Sequence, residues 1–224
     1  MSPTPDSIKQ LLESSDLGDR LRAVNQIREL EPATGFELLL PACTDGSPRV
    51  RYAAISQMDS LGHQNRQQSL DLLRRALLTD PEPDVQSAAA DALGGLQMTE
   101  AFDDLQTIYN TTGEWIVKFS IVSALGELGD PRAFDLLKVA LDSDIQLVAT
   151  AAIGALGELG DERAIALLLP YVKADDWQVR HRVTQALSQF ESPAVSAALE
   201  QLSQDSSTAV AEAAKLHIAG QANE

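Results

Sequence analysis

The stretch Ala124-Leu125-Gly126-Glu127-Leu128-Gly129-Asp130 recurs without change at Ala155–Asp161, 31 residues further on. Identity over a whole turn at a period of this size is the mark of a repeat array. Each unit of such an array cannot bury its apolar face alone and stacks on its neighbours. Working outward from the two copies, the residue at the same place in every unit is Arg20, Arg51, Gln86, Lys118, Ala149, Arg180 and Ala211, with spacings of 31, 35, 32, 31, 31 and 31. Taking the residue before each of these as position 0 gives Asp19, Val50, Val85, Val117, Val148, Val179 and Val210. Only the first is polar, as suits a terminal repeat whose outer face meets water.

Apolar residues then recur at positions 0, 3, 4, 7, 8 and 11, for example Val117, Ile121, Ala124, Leu125 and Leu128, with Ser120 filling the gap. This is a helical period, and no segment alternates as a strand would. A shorter apolar helix follows each turn, as at Ala133–Leu141 and Ala164–Val172. Gly129 and Gly160 suit the left-handed turn that ends a helix, Asp130 and Asp161 an N-cap, and Pro131 the first helical position. The spacing predicts outer helices over 6–14, 34–44, 66–78, 99–110, 132–141, 163–172 and 193–202. Inner helices are predicted over 19–30, 49–61, 84–96, 114–128, 145–159, 177–190 and 207–219. The extra residues before the third inner helix fall in His63–Arg66 and Asp80–Asp84, where Pro81 and Pro83 stiffen a loop. The expected fold is all-α, a right-handed superhelical solenoid of about seven helical hairpins, forming one domain over 1–224. Val117, Leu125, Val148, Leu156, Val179 and Leu187 are its expected core.

Composition narrows function. The net charge is −16, from 33 acidic and 17 basic residues. Such a chain repels a nucleic-acid backbone and an anionic membrane surface, and it has no run of Lys or Arg. No stretch is long enough to span a membrane, and Met1–Gln10 has neither the basic start nor the apolar run of a signal peptide. A cytoplasmic location is expected. Cys43 is the only cysteine, so no disulfide framework exists, and it reads as a small core residue.

At about 100° per residue, positions −2, 2, 5 and 9 of the inner helices point away from the apolar side, onto the expected concave face. Trp115 and Trp177, the only tryptophans, both occupy position −2. Position 2 holds Tyr52, Phe119, Thr150 and His181; position 5 holds Ile55, Val122, Ile153 and Thr184. Position 9 holds Asp59, Gly94, Gly126, Gly157 and Ser188. Tyr52, Ile55, Trp115, Phe119, Val122, Ile153, Trp177 and His181 thus form a candidate ligand-binding stripe over a floor of glycines. Two readings of it stand open. A contiguous exposed apolar patch marks a binding surface. The same residues also suit packing between neighbouring inner helices, and the glycines suit close helix approach. His63, His181 and His217 are scattered without metal-ligand spacing, which speaks against the dinuclear-iron hydroxylases built on similar repeats. No nucleophile–base pair, phosphate loop or zinc spacing is present, so no catalytic residue, metal or cofactor is assigned. Arg20, Arg51 and Arg180 read as a structural ladder to the carbonyls and carboxylates of the preceding Asp-rich turns.

The pattern Val-Arg-x-x-Ala-x-x-x-Leu-Gly-x-Leu-Gly-Asp-x-Arg-Ala, carried by Val117–Ala133, Val148–Ala164, Val50–Gly62 and Val179–Leu187, resembles the HEAT-like repeat of the phycobilisome bilin lyase family. The resemblance covers nearly the whole chain. The acidic charge, the short length and the segments Asp16–Leu30 and Arg49–Leu61 look most like the cyanobacterial members that act when antenna complexes are dismantled under nutrient starvation. The resemblance implies phycobiliprotein partners, or an open-chain tetrapyrrole ligand such as phycocyanobilin, at the thylakoid-associated phycobilisome. Three functions remain open. One is a non-catalytic binding factor in phycobilisome disassembly. Another is a bilin lyase using His181, Tyr52 or Asp59 to move protons while the substrate protein supplies the thiol. The third is a generic protein-interaction scaffold.

Overall fold

The computed structural model describes residues 3–221, and every regular element among them is helical. Two compact units meet in sequence between Ala124 and Leu125, inside one helix. The first unit holds α1 (Pro5–Leu12), α2 (Leu17–Ile27), α3 (Pro32–Ala42), α4 (Pro48–Ile55), α5 (Met58–Leu61), α6 (Arg66–Thr79), α7 (Pro83–Gly95), α8 (Phe102–Thr111) and the start of α9 (Trp115–Leu128). The second continues α9 and adds α10 (Ala133–Leu141), α11 (Gln146–Leu159), α12 (Arg163–Leu168), α13 (Trp177–Leu187), α14 (Pro193–Leu202) and α15 (Thr208–Gln221). These pair into helical hairpins at the predicted period, the all-α solenoid class that the repeat implied. Local chemistry starts many of the helices. Prolines open α1, α3, α4, α7 and α14, where a missing N–H costs nothing. Thr4, Asp16, Asn65, Asp176 and Ser192 accept N-terminal amide protons.

Three predicted helices change geometry along their length, the 99–110 helix opening as a 3₁₀ turn at Thr99–Ala101 before α8. The 49–61 helix breaks after Ile55, where Ser56 Oγ donates back to Tyr52 O at 2.8 Å. Gln57 there turns inward and donates from Nε2 to Val24 O at 2.8 Å, satisfying a carbonyl near the end of α2. The 163–172 helix tightens into a 3₁₀ turn at Leu169–Lys173, because Pro170 has no N–H for an α-helical bond.

Gly129 and Gly160 adopt φ of +65° and +68° as expected. The aspartates after them stand before the N-cap, Asp161 by one residue and Asp130 by two. Asp130 and Asp161 each accept the amide of the residue two positions on, at 2.9 Å; α12 begins at that residue, Arg163, and α10 one residue after it, at Ala133. The same carboxylates are gripped by Arg132 and Arg163, whose hydrogen bonds hold both below their ordinary value.

Of the expected core, Val117, Leu125, Val148, Leu156 and Leu187 are fully buried. Val179 is only half-buried, on α13, which packs against the 3₁₀ turn at Leu169–Lys173. Cys43 is buried, and burial pushes its thiol up to about 12, with Arg75 opposing, so it is inert at neutral pH.

The arginine ladder differs from expectation in its carboxylates. Arg20 donates to Ser14 O and Ser15 O of its own preceding turn, but its paired carboxylate is Asp45, in the following hairpin. Arg51 likewise joins Asp45 O to the Asp80 carboxylate, and Arg180 joins Ala174 O to Asp205. Each guanidinium therefore ties one repeat to the next, a role for which the fixed fork of arginine is suited.

Candidate binding surface on the inner helices

Within each unit the inner helices lie side by side, and their contacts decide which predicted site residues can meet a ligand. In the first unit a Cβ at Gly94 would fall 2.6 Å from Ala124 Cα. In the second, a Cβ at Gly126 would fall 2.7 Å from Ala155 Cα, and one at Gly157 would fall 2.6 Å from Ala186 Cα. The position-9 glycines are thus occupied by the alanine at position 7 of the next helix. They are not an open floor; their absent side chains let helices approach closely.

Position 5 shares that contact. Ile55, Val122 and Ile153 are buried, as is Thr184, so these three predicted site residues belong to the packing between inner helices. The solvent-facing line of the inner helices lies about a quarter turn further round, along positions −1, 6 and 10. It is largely polar, with Arg49, Asp84 and Gln178 at −1, Asp91 and Gln185 at 6, and Glu127, Glu158 and Gln189 at 10. The sequence reading placed this line wrongly because an apolar stripe shows which side is buried against the outer helix. It does not reveal that each inner helix is also covered by its inner neighbours.

Position −2 and position 2 lie at the edge of that line and stay accessible. Tyr52 is 48% exposed, and Trp115 and Trp177 are each 46% exposed. The tryptophans escape burial because each is the first residue of its helix, α9 and α13. Phe119 and His181 are half-buried, each one turn beyond its tryptophan. The first unit therefore presents Tyr52, Trp115 and Phe119, and the second presents Trp177 and His181. Leu147, at the first turn of α11, is 55% exposed and was missed by sequence reasoning. It occupies position −1, which the helical wheel assigned to neither the core nor the stripe.

Asp59 is exposed on the short helix α5. His63 is exposed in a 3₁₀ turn, and His217 Nε2 is buried without a hydrogen-bond partner in α15. Among the described residues no group of three or more His, Cys, Asp or Glu is placed to hold a metal ion. No helix among them is long and apolar enough to cross a membrane. On the outer helices, an open groove of about 560 Å³ lies between α3 and α6, lined by Leu40, Pro41, Leu72, Glu37, Asp71 and Arg75 among others.

A profile described as HEAT repeats matches three overlapping spans, residues 4–92, 70–153 and 140–218. The chain belongs to the HEAT repeat family. Among solved structures it is similar to the complex of CpcE and CpcF of phycocyanin lyase from Nostoc sp. PCC7120. That match has 23% identity and a TM-score of 0.64, covering 98% of this chain and 95% of the other. It is similar also to YibA of Escherichia coli, at 14% identity and a TM-score of 0.64, over 94% of this chain and 80% of that one. An archaeal HEAT-like repeats protein from Thermococcus onnurineus NA1 matches at 14% identity and a TM-score of 0.57, over 96% and 95% of the two chains. These likenesses show the shared fold. A comparison with curated protein sequences finds no significant match.

Proposed function

We propose that this HEAT-repeat chain is a non-catalytic binding factor that recognises phycobiliproteins, or the bilin they carry, during phycobilisome disassembly. The observation that carries the reading is the pair Trp115 and Trp177. They are the only tryptophans of the chain, they share one repeat position, and both are half exposed at the start of their helices. Exposed indoles are common energetic anchors of interfaces, and their flat faces also suit a conjugated tetrapyrrole. The likeness to the phycocyanin lyase subunits supports phycobiliprotein as the partner, since it runs over almost the whole of both chains. The sequence resemblance supports the finer reading that the chain acts like NblB, the cyanobacterial phycobilisome degradation protein, at the thylakoid-associated phycobilisome.

The binding residues in this reading are Tyr52, Trp115 and Phe119 of the first unit and, separately, Trp177 and His181 of the second. Titrating the purified chain with holo-phycocyanin, apo-phycocyanin and phycocyanobilin tests it. Binding to one of the three is expected. Covalent attachment of bilin to apo-phycocyanin would favour the lyase reading instead. The side chains available for that chemistry are Tyr52 and Asp59 of the first unit and His181 of the second. Failure to bind any of the three leaves a scaffold for another protein.

A further inference from the structure

The second unit carries an apolar pair that the binding reading absorbs only in part. Leu147 and Trp177 stand on the first turns of α11 and α13 and are, with Val139 and Leu216, the exposed large apolar side chains among the described residues of that unit. Their turns are adjacent: Gln146 Nε2 donates to Asp176 Oδ2 at 3.4 Å. Acidic residues precede each, Asp142 and Asp144 five and three residues before Leu147, and Asp175 and Asp176 directly before Trp177. Asp176 is committed to capping α13 through Gln178 N at 2.8 Å. Asp144 and Asp175 are exposed, and among the described residues neither carboxylate has an ion pair or hydrogen bond. At the next turn of the unit Asp205, one repeat position earlier than Asp144 and Asp175, is already taken by Arg180, and Ser206 stands at their own position.

We infer that this edge docks an arginine- or lysine-bearing segment of a partner protein, with the aliphatic stem and cationic head lying over Trp177 and Leu147 and the charge meeting Asp144 and Asp175. The inference rests on the binding reading in that Trp177 belongs to both. Charge complementarity selects the occupant, because a chain of net charge −16 with unpaired carboxylates at this edge favours a cationic segment and repels an anionic one. A guanidinium gains from an aromatic face and from a carboxylate together. The same unit already contains that arrangement. Arg163 lies 3.9 Å from the centre of the Phe134 ring while its guanidinium is paired to Asp161 at 2.6 Å. At the Leu147–Trp177 edge the ring and the carboxylates are present; the Arg180 guanidinium that Asp175 attracts is hydrogen-bonded to Asp205, so a cation over the ring is left for the partner to supply.

The test uses the full chain and a fluorescein-labelled nine-residue peptide alternating arginine and alanine, followed by anisotropy. A second peptide carries neutral citrulline in place of arginine. The arginine peptide is expected to bind, and the citrulline peptide to bind at least about fivefold more weakly. Asp144→Asn with Asp175→Asn, and separately Trp177→Ala, are each expected to weaken the arginine peptide by a similar factor, while Trp177→Phe retains most of the affinity. Glu37→Gln with Asp71→Asn, an equal change of charge on the outer helices, is expected to leave it within about twofold. Equal losses in the two charge variants, indifference to Trp177→Ala, or no preference for arginine over citrulline would each overturn the inference. Phycocyanin titrated against the same variants separates the two readings. Sensitivity to Trp177→Ala without sensitivity to the Asp144 and Asp175 changes removes the inference and leaves the binding function. An arginine peptide that binds where phycocyanin does not removes the function and leaves the edge.

Discussion

Arg51 donates from Nε and Nη2 to both carboxylate oxygens of Asp80, at 2.7 and 2.9 Å, across 29 residues of sequence. The same guanidinium reaches the carbonyl of Asp45 at 3.0 Å, so one side chain closes two successive turns. Arg180 and Asp205 repeat the arrangement in the second unit at 2.6 and 2.9 Å. Replacing Arg180 with methionine is expected to destabilise the second unit by about 1.5–3 kcal/mol, the range for hydrogen bonds to charged groups. Thermal melting followed by circular dichroism checks this, and an unchanged transition would count against the ladder as a structural tie.

The same pair sets an acid dependence. Hydrogen bonds from Arg180 hold the Asp205 carboxyl below its ordinary value of 3.8, with burial opposing. A depressed folded-state value means that the contribution is complete above 3.8 and is lost as the pH falls through the lower folded value. Asp205→Asn is therefore expected to lower the melting temperature at neutral pH and to shed less stability than the wild type below pH 3.8. Parallel acid profiles for the two proteins would refute the assignment.

Gly157→Ala distinguishes packing from helix propensity. Propensity alone favours alanine by about 1 kcal/mol in a helix interior. The added Cβ would lie 2.6 Å from Ala186 Cα, so the backbones of α11 and α13 must separate. Overpacking of this kind costs about 1–3 kcal/mol, and the variant is expected to melt lower than the wild type. A stabilised variant would mean that the helices are not in close approach.

Much of this was legible before any coordinate. The duplicated Ala124–Asp130 turn set the period, and the glycine at its end required the left-handed conformation found at Gly129 and Gly160. Helix identity followed because every hairpin repeats the same apolar spacing, so a local error could not propagate. The face was harder to read. Ile55, Val122 and Ile153 looked like a surface stripe, yet they are buried by neighbouring helices that a single-helix wheel does not contain. The carboxylates of the ladder were also unreadable, because Arg51–Asp80 is a contact between repeats and not within one.

Leu156 tests the register assigned to the repeat. It is fully buried in α11, and truncation to alanine is expected to cost about 2–5 kcal/mol. In repeat arrays stability is a sum over neighbours, so the loss is expected as earlier melting of part of the chain. Hydrogen exchange would locate it, and undiminished protection in α11 and α13 would contradict the register.

The most direct test of the central claim is the affinity of phycocyanin and of phycocyanobilin for the double variant Trp115→Ala with Trp177→Ala, measured beside its melting temperature. Loss of an anchoring aromatic commonly removes about 2 kcal/mol of binding or more. The account predicts a folded variant, with a melting temperature close to the wild type, whose affinity falls at least about thirtyfold. A folded double variant that binds as tightly as the wild type would contradict it.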